Sequence, residues 1–303
     1  MLAYTKTRFH EIRIRFENHP PTSRLDGFIW EIFLFGFKQG WACLFGVIQL
    51  SLLLLTKWFW PAHATLARYD FLFLSALAVQ ALLLILRMET VREAKVILIF
   101  HVIGTAMEVF KTGVGSWTYP ESSFFRIGHV PLFSGFMYAS VGSYLARTTR
   151  IVDMRYTGFP ARWITIVLAI LTYVNFFSHH FIPDIRIALF IFAAAAFGRT
   201  WVYYRPYRKQ RRMPLLLGFC MVTFFIWCAE NIGTFATVWV YPNQRRGWQH
   251  VDYAKFGSWL LLMMISFILV SLVHPPRPPE EDASGVDLTD SMIACEDRAQ
   301  HAR

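Results

Sequence analysis

The sequence predicts an all-α integral membrane protein of about eight transmembrane helices, arranged as two tandem four-helix repeats. Three observations predict it: apolar blocks recur along the chain, basic residues collect in alternate connections, and a group of residues near one block returns 122 positions later. The 303 residues are 55% hydrophobic and only 17% charged, more apolar matter than one soluble core of this length uses. Segments such as Trp41 to Leu55, Phe71 to Leu86 and Leu260 to Val273 hold almost no charge, which suits helices that satisfy their backbone internally in hydrocarbon.

The elements follow in chain order. Residues 1–40 read as a basic arm with an interfacial helix: Lys6, Arg8, Arg13, Arg15 and Arg24 surround Phe9, Ile12 and Phe16 on one helical face, and no cleavable secretion signal is expected. Phe28 to Phe37 is too short to span alone and is placed at the interface or as a re-entrant lead into the first span. Spans are expected at 41–60, 70–87, 95–113 and 130–146, forming the first unit over 41–146. A basic connection at 147–162 leads to the second unit over 163–273, with spans at 161–178, 183–202, 213–234 and 255–273. The shorter blocks rely on flanking Trp, Tyr, Lys and Arg to supply their interfacial turns. From Pro275 the chain turns proline-rich and acidic, so 274–303 reads as a disordered tail.

Alternate connections differ in charge. Arg87, Arg92, Lys95, Arg147, Arg150, Arg155, Arg162, Arg199, Arg205, Arg208, Lys209, Arg211 and Arg212 fall on one side, and Lys57, Arg68, Lys111, Arg126, Arg186, Arg245, Arg246 and Lys255 on the other. This excess places the first set and both termini in the cytoplasm, and the protein in the cytoplasmic (inner) membrane. The pI near 9.6 is then a topological signal, the expected partner is the lipid bilayer, and nucleic acid is not expected. Cys43, Cys220, Cys228 and Cys295 have no ligand or redox spacing, and no phosphate loop or dinucleotide fingerprint occurs, so no cofactor or metal is expected.

Glu108, Thr112, Trp117, Tyr119 and Pro120 recur as Glu230, Thr234, Trp239, Tyr241 and Pro242, all displaced by 122. Trp41 and Trp163, and Pro61 and Pro183, keep that offset. Units with an even number of spans enter the membrane the same way, so their pseudo-twofold axis runs along the membrane normal.

Glu108 and Glu230 are the candidate catalytic residues, because a carboxylate inside a span must be neutral, paired or facing a wet cavity. Thr112 and Thr234, four residues on, can orient them, whereas Lys111 can form a salt bridge with Glu108 and reduce the acids to helix-to-helix ties. Trp117 with Tyr119, and Trp239 with Tyr241, read either as an aromatic belt or as a lid over a cavity lined by the acids. His101 stands two turns before Glu108 as a relay partner or a core histidine, and Asn231 belongs to the second copy alone. These nine residues, His101, Lys111, Thr112, Trp117, Tyr119, Asn231, Thr234, Trp239 and Tyr241, form the expected substrate-binding set. His179 and His180 adjoin Asp184 in an outer loop, with Asn175 one turn earlier; adjacent histidines rarely face one metal together on a helix, though in a loop they can.

The run His101, Glu108, Lys111, Trp117, Tyr119, Pro120, Val130, Pro131, Ser134, Gly135, Met137 and Tyr138, continued by Asn175, His179, His180, Glu230, Asn231, Trp239, Pro242, Asn243, Gln244, Lys255, Ser258 and Trp259, resembles the bacterial membrane family catalogued as domain-of-unknown-function family 817. The resemblance covers about 38–273 and implies a multi-pass membrane protein. Glu108, Gly115, Tyr119, Gly128, Val130 and Pro131 also bear a distant similarity to membrane carotenoid hydratases and small lycopene cyclases. The functional expectation is an enzyme that modifies a lipid-soluble isoprenoid or carotenoid-like molecule by acid catalysis, with a proton-coupled transporter or permease as the alternative.

Overall fold

The computed structural model describes residues 23–61 and 63–279. The basic arm with Phe9, Ile12 and Phe16, and the acidic tail beyond 279, lie outside the described residues. Nine α-helices are present among the described residues: α1 (Arg24–Ala42), α2 (Leu44–Phe59), α3 (Arg68–Ile85), α4 (Val91–Gly113), α5 (Phe133–Ile151), α6 (Arg162–Ser178), α7 (Arg186–Phe197), α8 (Leu215–Phe235) and α9 (Ala254–Val273).

Four of these, α3, α4, α8 and α9, are long and apolar enough to cross a membrane, or five if the bent pair α1 and α2 counts as one. The expected eight is not reached on length and composition. With 17 and 12 residues, α6 and α7 are short, and at 1.5 Å per residue α7 extends only about 18 Å. Polar residues dilute α5, where Ser134, Ser140, Ser143, Tyr144, Arg147 and Thr148 interrupt the apolar run. The α1–α2 pair bends by 71° at Cys43, and α1 leaves Leu25, Phe28, Ile29, Ile32, Phe33, Phe37 and Trp41 exposed. Its polar side faces the protein instead: Glu31 accepts a two-pronged bond from Arg211, and Gln39 accepts from Tyr144 and Thr148.

The centre of the bundle is α5, which packs on α1, α2, α3, α4 and α9. Its small residues Gly135, Ala139, Gly142, Ser143 and Ala146 line a stripe that lets α4 approach closely, as helices packing in an apolar solvent require. At Gly142 a Cβ would lie 2.8 Å from the Phe100 ring, and at Gly135 it would lie 2.7 Å from the His101 carbonyl oxygen. A polar core therefore coexists with tight packing.

Two small sheets join the helices. A hairpin pairs β1 (Arg126–Ile127) with β2 (Val130–Pro131), and β3 (Arg155–Thr157), β4 (Trp201–Tyr204) and β5 (Arg211–Pro214) form an antiparallel sheet in that order. The arginine-rich connections read from the sequence as loops thus fold into β3 to β5. The opposite end of the bundle carries the Trp and Tyr turns. These ends are called basic and aromatic below.

One arginine counted with the loops is internal. The Arg147 and Glu89 side chains are wholly buried with Nη1 3.6 Å from Oε1, an ion pair without a hydrogen bond, while Ser143 and Gln80 donate to Glu89. Replacing Arg147 alone would leave a carboxylate uncompensated in the interior. Arg147→Met is expected to lower stability by about 3–5 kcal/mol, and adding Glu89→Gln should recover a large part of it, as measured by thermal unfolding in detergent.

Candidate functional site

The site begins with the way two helices end. At the C-terminus of α4, Val114 N–H donates to Phe110, Gly115 N–H to Thr112 and Ser116 N–H to Lys111. At the C-terminus of α8, Ala236 N–H donates to Ile232, Thr237 N–H to Thr234 and Val238 N–H to Gly233. Gly115 (φ 74°) and Thr237 (φ 54°) both adopt the left-handed conformation that reverses the chain at a helix end. The reversal carries each Trp-x-Tyr run back along its own helix.

Those aromatic side chains reach the acids. Glu108 Oε2 accepts from Trp117 Nε1 and from the Tyr119 hydroxyl, both at 2.7 Å, and Oε1 accepts from the Tyr138 hydroxyl at 2.8 Å. Glu230 Oε1 accepts from Trp239 Nε1 at 2.8 Å and from the Tyr241 hydroxyl at 2.5 Å. Both acids are buried. A buried carboxylate is costly unless donors meet it, and indole and phenol bring apolar bodies with their donors. The third donor to Glu108 comes from α5, where Gly104 on α4 admits Tyr138: a Cβ there would lie 2.6 Å from the ring. Position 260, which matches Tyr138, is Leu260, so no aromatic donor reaches Glu230 Oε2 among the described residues.

The two turns touch. Thr118 and Val240, themselves 122 apart, exchange both backbone bonds at 3.0 and 2.9 Å. Beside them the Trp117 and Tyr241 rings meet edge-on at 6.0 Å, and Lys255 Nζ lies 4.5 Å from the Tyr241 centroid and 5.8 Å from that of Trp117. From α3, the Tyr69 hydroxyl donates to the Val238 carbonyl and Arg68 to that of Ala236. Asp70 accepts from the Phe124 and Phe125 N–H groups and fixes the loop that follows the first turn.

The remaining expected residues divide. The Thr112 and Thr234 hydroxyls donate back to the Glu108 and Glu230 carbonyls of their own helices and leave the carboxylates to the aromatic donors. Lys111 does not bond Glu108. Its Nζ meets His180 Nε2 at 2.7 Å and His179 Nε2 at 3.3 Å, and lies 4.3 Å from the Phe176 centroid, so the amine is directed toward α6 and the connection after it. With Nδ1 of His179 at 2.8 Å from the Asn175 carbonyl, Nε2 is the acceptor that faces the ammonium. His101, on the same helix as Glu108, packs against Phe136 with ring centroids 4.3 Å apart, and its Nδ1 has no hydrogen-bond partner among the described residues. Asn231 donates to the Trp227 carbonyl and accepts from Val251 N–H, so it pins the loop before α9. Among the described residues no group of three or more His, Cys, Asp or Glu could hold a metal ion.

The sequence reading left Tyr138, Lys255, Arg68 and Tyr69 out of the site. Tyr138 and Lys255 stand in the run that resembles a family, yet neither has a chemically matching partner at the 122-residue offset: Leu260 and Phe133 occupy those positions. Arg68 and Tyr69 act through backbone carbonyls of a distant turn, which no local pattern announces.

The family described as "Protein of unknown function (DUF817)" matches residues 31–267. The uncharacterized protein YoaT of Bacillus subtilis (strain 168) is 42% identical over 243 residues, covering 80% of this chain and 91% of that protein. No solved structure matches. These comparisons do not show the similarity to carotenoid hydratases.

Thr237 is a β-branched residue in a conformation that suits glycine, and Gly115 occupies the matching place. Thr237→Gly is expected to raise stability by about 0.5–1 kcal/mol, read as a higher Tm. Partial desolvation, with the charges of Lys111, His179 and Lys255, lowers the His180 pKa below its ordinary 6.5. The folded chain therefore binds fewer protons than the unfolded chain just below that pH, so stability falls as pH drops through the window. Thermal unfolding across pH should show this loss, and His180→Gln should flatten it.

Proposed function

The chain belongs to the DUF817 family, whose description assigns no chemistry, so its function is argued from the site: we propose a membrane-embedded acid catalyst acting on a carbon–carbon double bond of a lipid-soluble isoprenoid. The observation that carries this reading is the unequal dressing of two matched acids. Both oxygens of Glu108 are taken by donors, whereas Glu230 receives both of its bonds on Oε1. Oε2 of Glu230 is the oxygen that can carry a proton without displacing a donor.

In this reading Glu230 gives that proton to one alkene carbon, whose π pair forms the new C–H bond and leaves a cation on the neighbouring carbon. The faces of Trp117, Trp239, Tyr119 and Tyr241 stabilise the cation. Water then adds and returns a proton to the carboxylate, giving hydration, or an adjacent C–H bond breaks and returns it, giving isomerisation. Glu108 is the fixed member that holds the first turn in place. An apolar seam between α4, α5 and α9 runs beneath Tyr138, lined by Phe100, Met107, Leu262, Ile265 and Leu269. Its volume is only about 10 Å³, so a chain-like substrate enters by parting α5 from α9.

The same proposal takes α2–α5 and α6–α9 as two copies of one unit. The reciprocal Thr118–Val240 pair, the matching helix ends at Gly113 and Phe235, and the starts of α5 and α9 at Phe133 and Ala254 support it. The arginine-rich end faces the cytoplasm and the aromatic end faces outward.

Lipid extracts from a deletion strain carrying wild type, Glu230→Gln or Glu108→Gln test the reading by mass spectrometry. Wild type should restore a species shifted by the mass of water or altered in retention at constant mass, and Glu230→Gln should match the deletion despite normal protein in the membrane. An extract from Glu230→Gln indistinguishable from wild type would sink it. Proton-linked uptake into proteoliposomes that Glu230→Gln abolishes, with lipid extracts unchanged, would make the protein a carrier instead.

A further inference from the structure

A cleft of about 630 Å³ opens at the aromatic end, between the end of α2, the start of α3 and the turn after α8. Its floor is Arg68, 5% exposed, which donates from Nε to Thr56 Oγ1 at 3.0 Å and from Nη2 to the Leu53 and Ala236 carbonyls at 3.2 and 3.1 Å. Those bonds spend the guanidinium on the helix ends and leave Nη1 toward the cleft, where it meets Glu121 Oε1 at 2.6 Å. The Glu121 side chain is 36% exposed, and its second oxygen is not engaged by Arg68. Lys57 lines the same cleft, its Nζ 5.2 Å from the Phe235 centroid and without an ion-pair partner among the described residues. Trp60 forms one wall, its ring 5.0 Å from that of Phe71.

The cleft therefore offers one carboxylate oxygen, one ammonium, one remaining guanidinium N–H, an indole and several hydroxyls. Lys57 has no ion-pair partner among the described residues and Glu121 keeps one oxygen beyond its pair with Arg68, so the cleft can meet both charges of a ligand that carries both. We propose that this cleft binds a zwitterion bearing a primary ammonium and a phosphate, with the ammonium on Glu121 and the phosphate on Lys57 and the outward N–H of Arg68. Trp58 and Phe59, 60% and 76% exposed at the end of α2, put the cleft at the level where aromatic side chains meet headgroups. The headgroup of a zwitterionic phospholipid is the source this position favours, and free phosphoethanolamine presents the same chemistry.

Native mass spectrometry of the purified full-length chain, exchanged into detergent with added phosphatidylethanolamine or phosphatidylglycerol, tests the site. Wild type should retain the ethanolamine lipid in preference to the glycerol lipid, and Glu121→Gln should reduce that preference about tenfold, the scale of one charge-assisted bond. Lys57→Met should weaken retention of both lipids while the Arg68 network stays intact, which keeps the test sound if Glu121→Gln disturbs folding. Displacement of bound lipid by millimolar phosphoethanolamine supports the site and assigns it to the soluble zwitterion. Equal retention of the two lipids by wild type, unchanged in Lys57→Met, overturns the proposal.

Discussion

The aromatic end of this protein depends on one constraint: a carboxylate sunk inside a helix must be met by donors, and the helix that carries it supplies them from its own exit turn. Glu108 lies five residues before Gly113, roughly 7.5 Å from the helix end at 1.5 Å per residue. A chain that continued outward would carry its indole and phenol away from the acid. The left-handed residue at 115 or 237 turns the chain back over that distance, and residues nine and eleven positions beyond each glutamate then reach it. Pro120 and Pro242 follow at once and restrict the exit of the chain. Acid, reversal and aromatic donors form one device, which explains why they recur together.

The two devices differ where their neighbours differ. Gly233 lies under the Trp239 ring, which a Cβ there would strike, whereas the matching position in the first half holds Lys111, directed toward His179 and His180. Trp239 is accordingly buried, while Trp117 stays partly open and takes Lys255 over its face. Lys255 itself stands where the first half has Phe133, which packs against Tyr119. These exchanges put cations around one side of a pair whose backbones meet reciprocally at Thr118 and Val240. Two similar turns thus present different surfaces to whatever approaches them.

What the sequence disclosed follows from the range of each interaction. Glu108 with Trp117 and Tyr119 is a local device, and its recurrence 122 residues later was visible as spacing alone. The helices were visible for the same reason, since apolar blocks encode them locally. Tyr138 reaches Glu108 from another helix through the space that Gly104 leaves, and Arg147 pairs with Glu89 across a connection, so neither could be read from adjacent residues. The break at Cys43 has no proline to mark it, only Gly40 and Gly46 three residues to either side. It goes with α1 turning its polar side onto α5 and β5, contacts set by residues more than 100 positions away.

Those long-range ties also divide the bundle mechanically. At the aromatic end Tyr138 binds α5 to Glu108 of α4, and at the basic end Ser143 and Arg147 of α5 hold Glu89 just ahead of α4. Between these points the small residues of α5 bring the two backbones too close for sliding without collision. The α4–α5 pair is therefore a rigid frame, fastened by polar groups at both ends. The short helices α6 and α7 are tied differently: Asn175 bridges them to each other through Asp184 and Ile185, and the polar tie from their connection to the frame runs through the two imidazoles on Lys111. Glu108 and its clasp thus belong to the frame, whereas α6 and α7 join it through side chains that meet at Lys111.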